Sequence, residues 1–316
     1  MKTDAITPAD LQRSVLAVPP LPRAPDGAIS APQTGRLIAR LAEGGVSTFM
    51  FGGNANLYNI GLGEYDLLLD VLESAAPSDG WIIPSVGADY GKALDQIERL
   101  RERAFPTAML LPLAFPATRA GVATGLRRLA DRYGRPLVAY MKDEGYMAPA
   151  DIAALMRDGA VCALKYAVVR RDPSEDPTLA AILAAIGSGE CVVSGIGERP
   201  AVAHLTTFGL AAFTSGSVCV APELSTALLA ALKAGRRDEA DRIRTLFLPL
   251  EDLRDRLSPI RVLHAAVALA GIAETGPLAP FLSSIEDASD LAAIGAAARE
   301  LSAASRSAGR SRAEGA

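Results

Sequence analysis

The sequence predicts an α/β fold, a (β/α)8 TIM barrel followed by a C-terminal cap of about three helices. Eight short apolar runs alternate with amphipathic segments across about the first 220 residues of the 316-residue chain. Alternating strands and helices are typical of a parallel sheet, and eight such units are the number that closes a barrel. Beyond that point the pattern becomes almost wholly helical.

The eight apolar runs have the character of strands buried on both faces. Each is short, rich in β-branched or large apolar residues, and bounded by Gly, Pro or polar residues. They supply the eight predicted strands. The runs begin at Ser14, Val46, Trp81, Thr107, Pro136, Val161, Cys191 and Ala211.

Helical periodicity separates these runs. Apolar residues three and four positions apart line one face of GKALDQIERLRER and one face of GVATGLRRLADRY. The main alternative fold is a doubly wound open sheet with a dinucleotide-binding fingerprint of three spaced glycines. Two segments, GLGEYD from Gly61 and GIGERP from Gly195, each lack the third glycine. The barrel is therefore the favoured architecture.

Three segments after the eighth run predict the helical cap. ELSTALLAALKAG, RRDEADRIRTLFLPLEDLRDRL and PIRVLHAAVALAGIAE have helical patterns separated by Gly-Arg and Ser-Pro breaks. The last residues, SAASRSAGRSRAEGA, contain few large apolar side chains, which is typical of disorder. The predicted organisation is a barrel over 1–220, a helical region over 221–300 and a disordered tail over 301–316.

Composition excludes several classes of partner. The formal charge of -4 and the absence of a long Lys/Arg run argue against nucleic-acid or membrane binding. The N-terminus lacks a basic segment followed by an apolar one, so we expect a cytoplasmic protein. Three cysteines, Cys162, Cys191 and Cys219, lie in separate apolar runs, as reduced core thiols do. A small molecule is the expected partner.

Lys165 is the one charged residue in the apolar run VCALKYAVV. In a barrel it would point inward near the C-terminal end of the sixth strand, where catalytic groups lie. Desolvation disfavours its charged form, which favours a neutral amine able to attack a carbonyl and form an imine. The alternative is a lysine that reaches solvent or pairs with a carboxylate such as Asp172 or Glu175.

The turn FGGNANLYN follows the second strand and opens at the same end of a barrel. Gly52 and Gly53 allow close backbone approach, and successive N–H groups in such a turn can bind an anion. Asn54 and Asn56 add hydrogen-bonding groups suited to a carboxylate or a sugar hydroxyl. A plain turn, with the asparagines bonded to the backbone, is the alternative.

Tyr140 ends the fifth strand, and its phenol could transfer protons at a carbinolamine or an enamine. The alternative is a core tyrosine with a satisfied hydroxyl. The following loop residues, from Lys142 to Tyr146, are expected to be mostly solvated. With His204 and His264 as the only histidines, in different segments, the sequence offers no evident metal-ligand set. We expect neither a metal nor a cofactor.

In order along the chain, these segments resemble the dihydrodipicolinate synthase / N-acetylneuraminate lyase superfamily of class I aldolases, over about residues 10 to 290. GGVSTFMFGGNAN resembles the family's second-strand block ending in G-T-T-G-E, and YMK stands where the family has Y-N-x-P. ALKYA corresponds to the strand of the Schiff-base lysine. VVSGIGE resembles the V-x-S-G-x-D turn, and Pro259, Ile260 and Arg261 resemble the late P-x-K signature.

The resemblance implies a Schiff-base lyase for pyruvate or a longer 2-oxo acid. Lys165 would form the imine and Tyr140 would act as its acid and base. Gly53 and Asn54 would hold the 2-oxo acid carboxylate through their backbone. The turn containing Ser194 and Gly195 would bind substrate, and the chain would assemble as a homotetramer of paired dimers, or as a homodimer.

Three departures argue against a true dihydrodipicolinate synthase. Gly53 and Asn54 stand where the synthases have two threonines, so the hydroxyl that relays protons is missing. The partner subunit's tyrosine falls on Ala114, and the arginine that binds the aldehyde substrate falls on Gly145. A lost charge-assisted hydrogen bond weakens binding. A divergent lyase, an aldolase or a dehydratase, is therefore expected, with a 2-keto-3-deoxy sugar acid as a candidate substrate. A condensation like that of the synthases is the alternative reaction.

Three hypotheses remain open at the level of sequence. The first is the Schiff-base lyase. The second is a non-catalytic 2-oxo acid sensor on the same fold, motivated by the altered G-T-T-G-E block. The third is a barrel isomerase that binds phosphate at SGIGERP and TSGSV, because glycine-rich turns at helix N-termini bind anions.

Overall fold

The computed structural model describes residues 1–314, with side chains as far as residue 310. It has nine parallel strands, and each of them lies within one of the eight predicted runs. The strands are β1 (Leu16–Ala17), β2 (Thr48–Met50), β3 (Trp81–Ile83), β4 (Ser85–Val86), β5 (Ala108–Leu110), β6 (Leu137–Met141), β7 (Val161–Tyr166), β8 (Val192–Ser194) and β9 (Ala212–Ser215).

The third predicted run forms two of these strands because Pro84 interrupts it. Proline has no N–H to donate to a strand ladder. The hydrogen-bonded order is β3-β2-β1-β9-β8-β7-β6-β5-β4, so the two ends of the order are the two halves of one interrupted strand. Counted in this way the sheet has eight strands, which confirms the predicted (β/α)8 barrel topology.

Helices follow the strands in alternation. Those of the barrel region are α1 (Pro8–Gln12), α2 (Ala31–Glu43), α3 (Leu62–Ala75), α4 (Tyr90–Arg101), α5 (Arg119–Tyr133), α6 (Pro149–Arg157), α7 (Pro177–Ile186) and α8 (Ala201–Thr206). Short 3-10 turns occur at Leu57–Asn59 and Ser217–Cys219. The later helices are α9 (Pro222–Lys233), α10 (Arg237–Arg256), α11 (Pro259–Leu269) and α12 (Ala288–Glu314). None of the described helices combines the length and apolar character needed to cross a bilayer.

The chain divides into two compact units. The first contains Ser14–Ile82 and the chain from Ser215 on, and the second contains Lys2–Arg13 and Ile83–Thr214. In the first unit, Arg40 of α2 binds Glu223 of α9 through two hydrogen bonds of 2.7 and 2.9 Å. The barrel and cap boundary predicted at residue 220 stays a prediction.

The predicted cap lacks one helix of the described structure, because about half of α12 lies in the segment predicted to be disordered. That prediction is wrong for 301–314, which are helical, while 315–316 lie outside the described residues. Small residues allow α12 to pack closely. Ser305 is fully buried and donates to Glu223 at 2.5 Å, and a methyl group at Gly309 would lie 3.1 Å from the Glu223 side chain.

Candidate active site

Lys165 and Tyr140 lie side by side at the C-terminal ends of β7 and β6 in the second unit. The two residues are paired in the parallel ladder, so their side chains point to the same face of the sheet. The Lys165 Nζ atom lies 4.3 Å from the centroid of the Tyr140 ring. Because Lys165 is 3% exposed and Tyr140 is 8% exposed, this contact is shielded from water. The predicted nucleophile and proton-transfer group are thus brought together.

The alternative in which Lys165 reaches solvent is contradicted by this burial. The carboxylate of Asp172, one of the two acidic partners considered from the sequence, accepts hydrogen bonds from the backbone N–H and the hydroxyl of Ser174 at 2.9 and 2.6 Å. Glu175 is exposed. A charged ammonium group is attracted electrostatically to the face of an aromatic ring. The Tyr140 ring therefore holds the Lys165 terminus in place when it is charged.

Gly195 follows β8 and borders the stem of Lys165. A methyl group added there would lie 3.0 Å from Lys165 Cγ and 2.8 Å from the carbonyl oxygen of Tyr166. The Gly195 N–H donates to that same oxygen at 2.6 Å. Glycine is favoured here because a side chain would crowd its neighbours, which include the lysine stem. Gly195 therefore shapes the site through its missing side chain.

Ser194, also predicted to bind substrate, faces the other way. It pairs in register with Tyr166, the neighbour of Lys165, and alternate residues of a strand point to opposite faces. Its hydroxyl lies 2.8 Å from His204 Nδ1 on α8. Burial lowers the pKa of His204 to about 4, so this imidazole is neutral at pH 7. The Ser194 hydroxyl therefore supports the packing of α8 on the sheet.

The glycine-rich turn after β8 offers little to a phosphate. The N–H of Gly195 is engaged with Tyr166, and the N–H of Gly197 donates to the carbonyl of Thr214 at 3.1 Å. A phosphate cup needs free backbone N–H groups. These bonds argue against the phosphate-binding hypothesis for this turn.

A cluster of charged side chains stabilises the outer side of β7. Arg170 binds Asp176 at 3.1 Å and Glu144 at 3.0 Å, and the hydroxyl of Tyr166 donates to Asp176 at 2.7 Å. Burial alone would raise the pKa of Asp176, but the hydrogen bonds from Arg170 and from the N–H of Leu179 hold it below its ordinary value. Glu144 is exposed, as expected, and its carboxylate joins the loop after β6 to the loop after β7.

Tyr146, in the same loop, is the partly buried member of a run whose charged residues are exposed as predicted. It lines an apolar cavity of about 550 Å³ in the second unit, together with Leu110, Leu113 and Val122. Burial raises the pKa of its phenol. Phe115, at the rim of this cavity, is 86% exposed.

The turn after β2 lies in the first unit and is held by its own backbone. The carbonyl of Gly52 accepts from Leu57 at 3.2 Å, and that of Gly53 accepts from Asn56 at 2.9 Å. The amide of Asn54 donates to the carbonyl of Val18 at 2.9 Å. These contacts match the plain-turn alternative for the side chain of Asn54.

Asn56 is also used structurally. It adopts a left-handed backbone conformation with φ of 55°, which asparagine tolerates better than most residues. Its amide donates to the carbonyl of Ala279 at 3.0 Å, and its side-chain oxygen accepts from Asn59 at 2.8 Å. Within this turn, the backbone N–H groups of Gly53 and Asn54 remain better candidates for binding an anion than the side chains of Asn54 and Asn56.

Arg254 is a candidate binding residue that the sequence did not reveal. It lies on the charged helix α10, and its Nη1 is 3.3 Å from the hydroxyl of Ser217. A methyl group at Gly216 would lie 2.9 Å from the Arg254 guanidinium and 2.6 Å from the Asn54 amide. Arg254 thus places a cation beside the turn after β2, a position that no sequence spacing indicates.

Comparison with known proteins gives relatives over most of the chain. No protein-family model matches. A curated protein of Streptomyces coelicolor named probable 5-dehydro-4-deoxyglucarate dehydratase 2 is 26% identical over 289 residues, covering 89% of this chain and 87% of the relative. Dihydrodipicolinate synthase from Bacillus clausii superposes with a TM-score of 0.81 at 20% identity, covering 92% of this chain and 97% of its own.

A third similar protein is YagE, a prophage protein of the dihydrodipicolinic acid synthase family from E. coli K12, whose structure is a complex with pyruvate. It superposes with a TM-score of 0.78 at 18% identity, covering 91% of this chain and 98% of its own. The structural likenesses confirm the predicted fold.

Proposed function

We propose that this chain, a divergent member of the dihydrodipicolinate synthase / N-acetylneuraminate lyase superfamily, is a metal-independent class I lyase that dehydrates a 2-keto-3-deoxy sugar acid. The buried contact of Lys165 with Tyr140 is the observation that carries the proposal. The name of the Streptomyces coelicolor relative supports dehydration rather than aldol cleavage. It also supports 5-dehydro-4-deoxyglucarate, a diacid, as the first substrate to test.

The reaction uses the imine as an electron sink. The Lys165 amine attacks the keto carbon, and the resulting carbinolamine loses water to form an imine. A proton then leaves the neighbouring carbon to give an enamine, which expels the hydroxyl one carbon further along, and this leaves with a proton as water. Hydrolysis of the conjugated imine consumes one water and releases the product and the free amine. The net change in the substrate is the loss of one water.

Tyr140 is the proposed acid and base of these steps. Its strand position beside Lys165 supports this role, because a proton-transfer group must lie within reach of the imine nitrogen and the neighbouring carbon. Gly195 keeps the space that the lysine stem occupies.

The substrate carboxylate next to the keto group is assigned to the backbone N–H groups of Gly53 and Asn54, with Gly52 allowing close approach. The family resemblance supports this assignment.

The test is incubation with 5-dehydro-4-deoxyglucarate, followed by mass spectrometry for a product lighter by one water. We expect turnover by the native chain, none by Lys165→Arg, and a decrease of about 100-fold or more by Tyr140→Phe. Lys142→Arg, at an exposed lysine of the neighbouring loop, is the matched control and should keep native activity.

The sensor hypothesis has a distinct outcome in the same experiment. Imine trapping with pyruvate but no product from this diacid or from other 2-keto-3-deoxy sugar acids would favour a 2-oxo acid binding protein. Neither trapping nor turnover would refute both hypotheses.

We also propose that the chain assembles as a homotetramer or a homodimer and acts in the cytoplasm. Phe115 and the apolar cavity beside it form one continuous apolar surface, which supports association because contiguous exposed apolar patches mark interfaces. Light scattering on the eluting protein gives the mass, and a monomer would contradict this part of the proposal.

A further inference from the structure

A network of side chains joins the loops that follow β6 and β7, the two strands that carry the reactive pair. Tyr166 pairs with Met141 in the ladder as Lys165 pairs with Tyr140, so the network begins one residue beyond that pair. Successive residues of a strand point to opposite faces, which places Tyr166 on the outer side of β7. The network is therefore attached to both strand ends without entering the barrel interior.

Asp176 is the buried centre of this network. Its side chain is 0% exposed, and it accepts hydrogen bonds from the hydroxyl of Tyr166 at 2.7 Å and from Arg170 Nη2 at 3.1 Å. It also accepts from the N–H of Leu179 at 3.0 Å, at the start of α7. Burial and the Asp176 carboxylate raise the pKa of Tyr166, so its hydroxyl keeps the proton that it donates. Loss of a partner would leave a buried charge poorly compensated, which is costly.

Arg170 extends the network from the loop after β7 to the loop after β6. The same Nη2 atom lies 3.0 Å from Glu144 Oε2 and 2.9 Å from the hydroxyl of Thr178. That hydroxyl donates to Glu144 at 2.9 Å. The Glu144 side chain is more than half exposed, so water screens this arm of the network. We therefore expect it to be weaker than the buried bond between Tyr166 and Asp176.

We propose that this network fixes the position of Tyr140 relative to Lys165. Tyr166 and Glu144 are then positioning residues for proton transfer at the imine, an inference that rests on the proposed function. The flexible four-carbon stem of Lys165 can follow a keto carbon. Proton transfer is less tolerant, because the Tyr140 phenol must lie within hydrogen-bonding reach of the reacting atom. Loosening the network should therefore slow proton transfer more than imine formation.

Pyruvate in deuterium oxide separates the two steps. In the imine, a methyl proton is lost through Tyr140 to give the enamine, a deuteron added to the same carbon restores the imine, and hydrolysis releases labelled pyruvate. Proton NMR follows the loss of the methyl signal, corrected for the rate without protein. Borohydride trapping with mass spectrometry measures imine formation in the same solution. The ratio of the two rates is the readout, because a general disturbance of the fold lowers both.

Two variants loosen the network to different extents. Tyr166→Phe removes the hydroxyl that bonds to Asp176 and should lower the exchange rate about 10-fold, with trapping within about twofold of native, since small displacements already cost much in rate. Glu144→Gln, in the exposed arm, should lower the exchange rate about 3-fold. Arg127→Gln is the matched control, because Arg127 binds Asp158 at 2.7 Å in an exposed ion pair near the other end of β7. Both of its rates should equal those of the native chain.

Unchanged exchange in the folded Tyr166→Phe and Glu144→Gln variants would overturn the inference. So would a parallel fall of exchange and trapping, which is the sign of a purely structural role. In both cases the native chain still traps pyruvate, and the proposed function stands. A native chain that neither traps nor exchanges pyruvate would refute the proposed function and this inference together. Thermal unfolding verifies that each variant is folded.

Discussion

Gly195→Ala is the substitution that most directly tests how the fold positions the reactive lysine. The added methyl group would lie 2.8 Å from the Tyr166 carbonyl oxygen and 3.0 Å from Lys165 Cγ. Ordinary contact begins near 3.4 Å, so the neighbours must separate by about 0.4 to 0.6 Å. Over-packing of this kind costs about 1–3 kcal/mol. The two closest contacts, to the Tyr166 carbonyl oxygen and to the Ala167 Cβ, are both 2.8 Å and cannot be relieved by the lysine stem alone. We therefore expect the end of β7 to shift and to carry Lys165 with it.

The expected kinetic effect follows from that displacement. A misplacement of about 1 Å costs roughly 100-fold in rate, so a shift of half that size should slow imine formation about 10-fold. The assay mixes the protein with pyruvate, quenches at intervals with borohydride and measures the modified fraction by mass spectrometry. Thermal unfolding measures the stability loss separately.

Gly91→Ala on α4 is the matched control. A methyl group there would lie 3.6 Å from its nearest neighbour, in ordinary contact, and alanine favours a helix over glycine. It should trap pyruvate at the native rate. If a folded Gly195→Ala variant also did so, the crowding of Lys165 by this position would be refuted.

Two further predictions concern neighbouring groups. Ser194→Ala should lower stability by about 1 kcal/mol in thermal unfolding, since it removes one buried hydrogen bond, and should leave pyruvate trapping within about twofold of native; a large loss of trapping would contradict its placement on the far face. Asp176→Asn should cost about 1–3 kcal/mol at pH 7. Because the folded-state pKa of Asp176 is held below the ordinary 3.8, the stability that its charge contributes is present above that pH and is lost as the pH falls through the lower folded value. The difference between the native chain and Asp176→Asn in urea unfolding should therefore shrink below about pH 4, and a difference that grows on acidification would contradict the role of Arg170.

The strands could be predicted from sequence because burial on both faces leaves short continuous apolar runs. The same reasoning made Lys165 visible, since a lone ammonium in such a run has no ordinary structural reason to be there. The break at Pro84 divided one strand without changing the count of eight, because a missing N–H interrupts the ladder but not the direction of the chain.

The elements that were missed depend on contacts distant in sequence. Beyond Leu301, the α12 helix packs through small residues such as Ser302 and Ser305, so this half lacks the stripe of large apolar residues that reveals most helices. The amides of Asn54 and Asn56 bond to carbonyls of Val18 and Ala279, partners that a local pattern cannot indicate. The direction of Ser194 follows from strand register, which the spacing of motifs leaves undetermined.

The central claim is that Lys165 is the nucleophile that captures a 2-oxo acid. The most direct measurement is reduction by borohydride in the presence of pyruvate, followed by proteolysis and mass spectrometry of the peptide containing VCALKYAVV. The account predicts one reduced pyruvate adduct per chain, on Lys165, which is absent without pyruvate and absent in Lys165→Arg. An unmodified Lys165, or an adduct carried equally by exposed lysines such as Lys142, would contradict it.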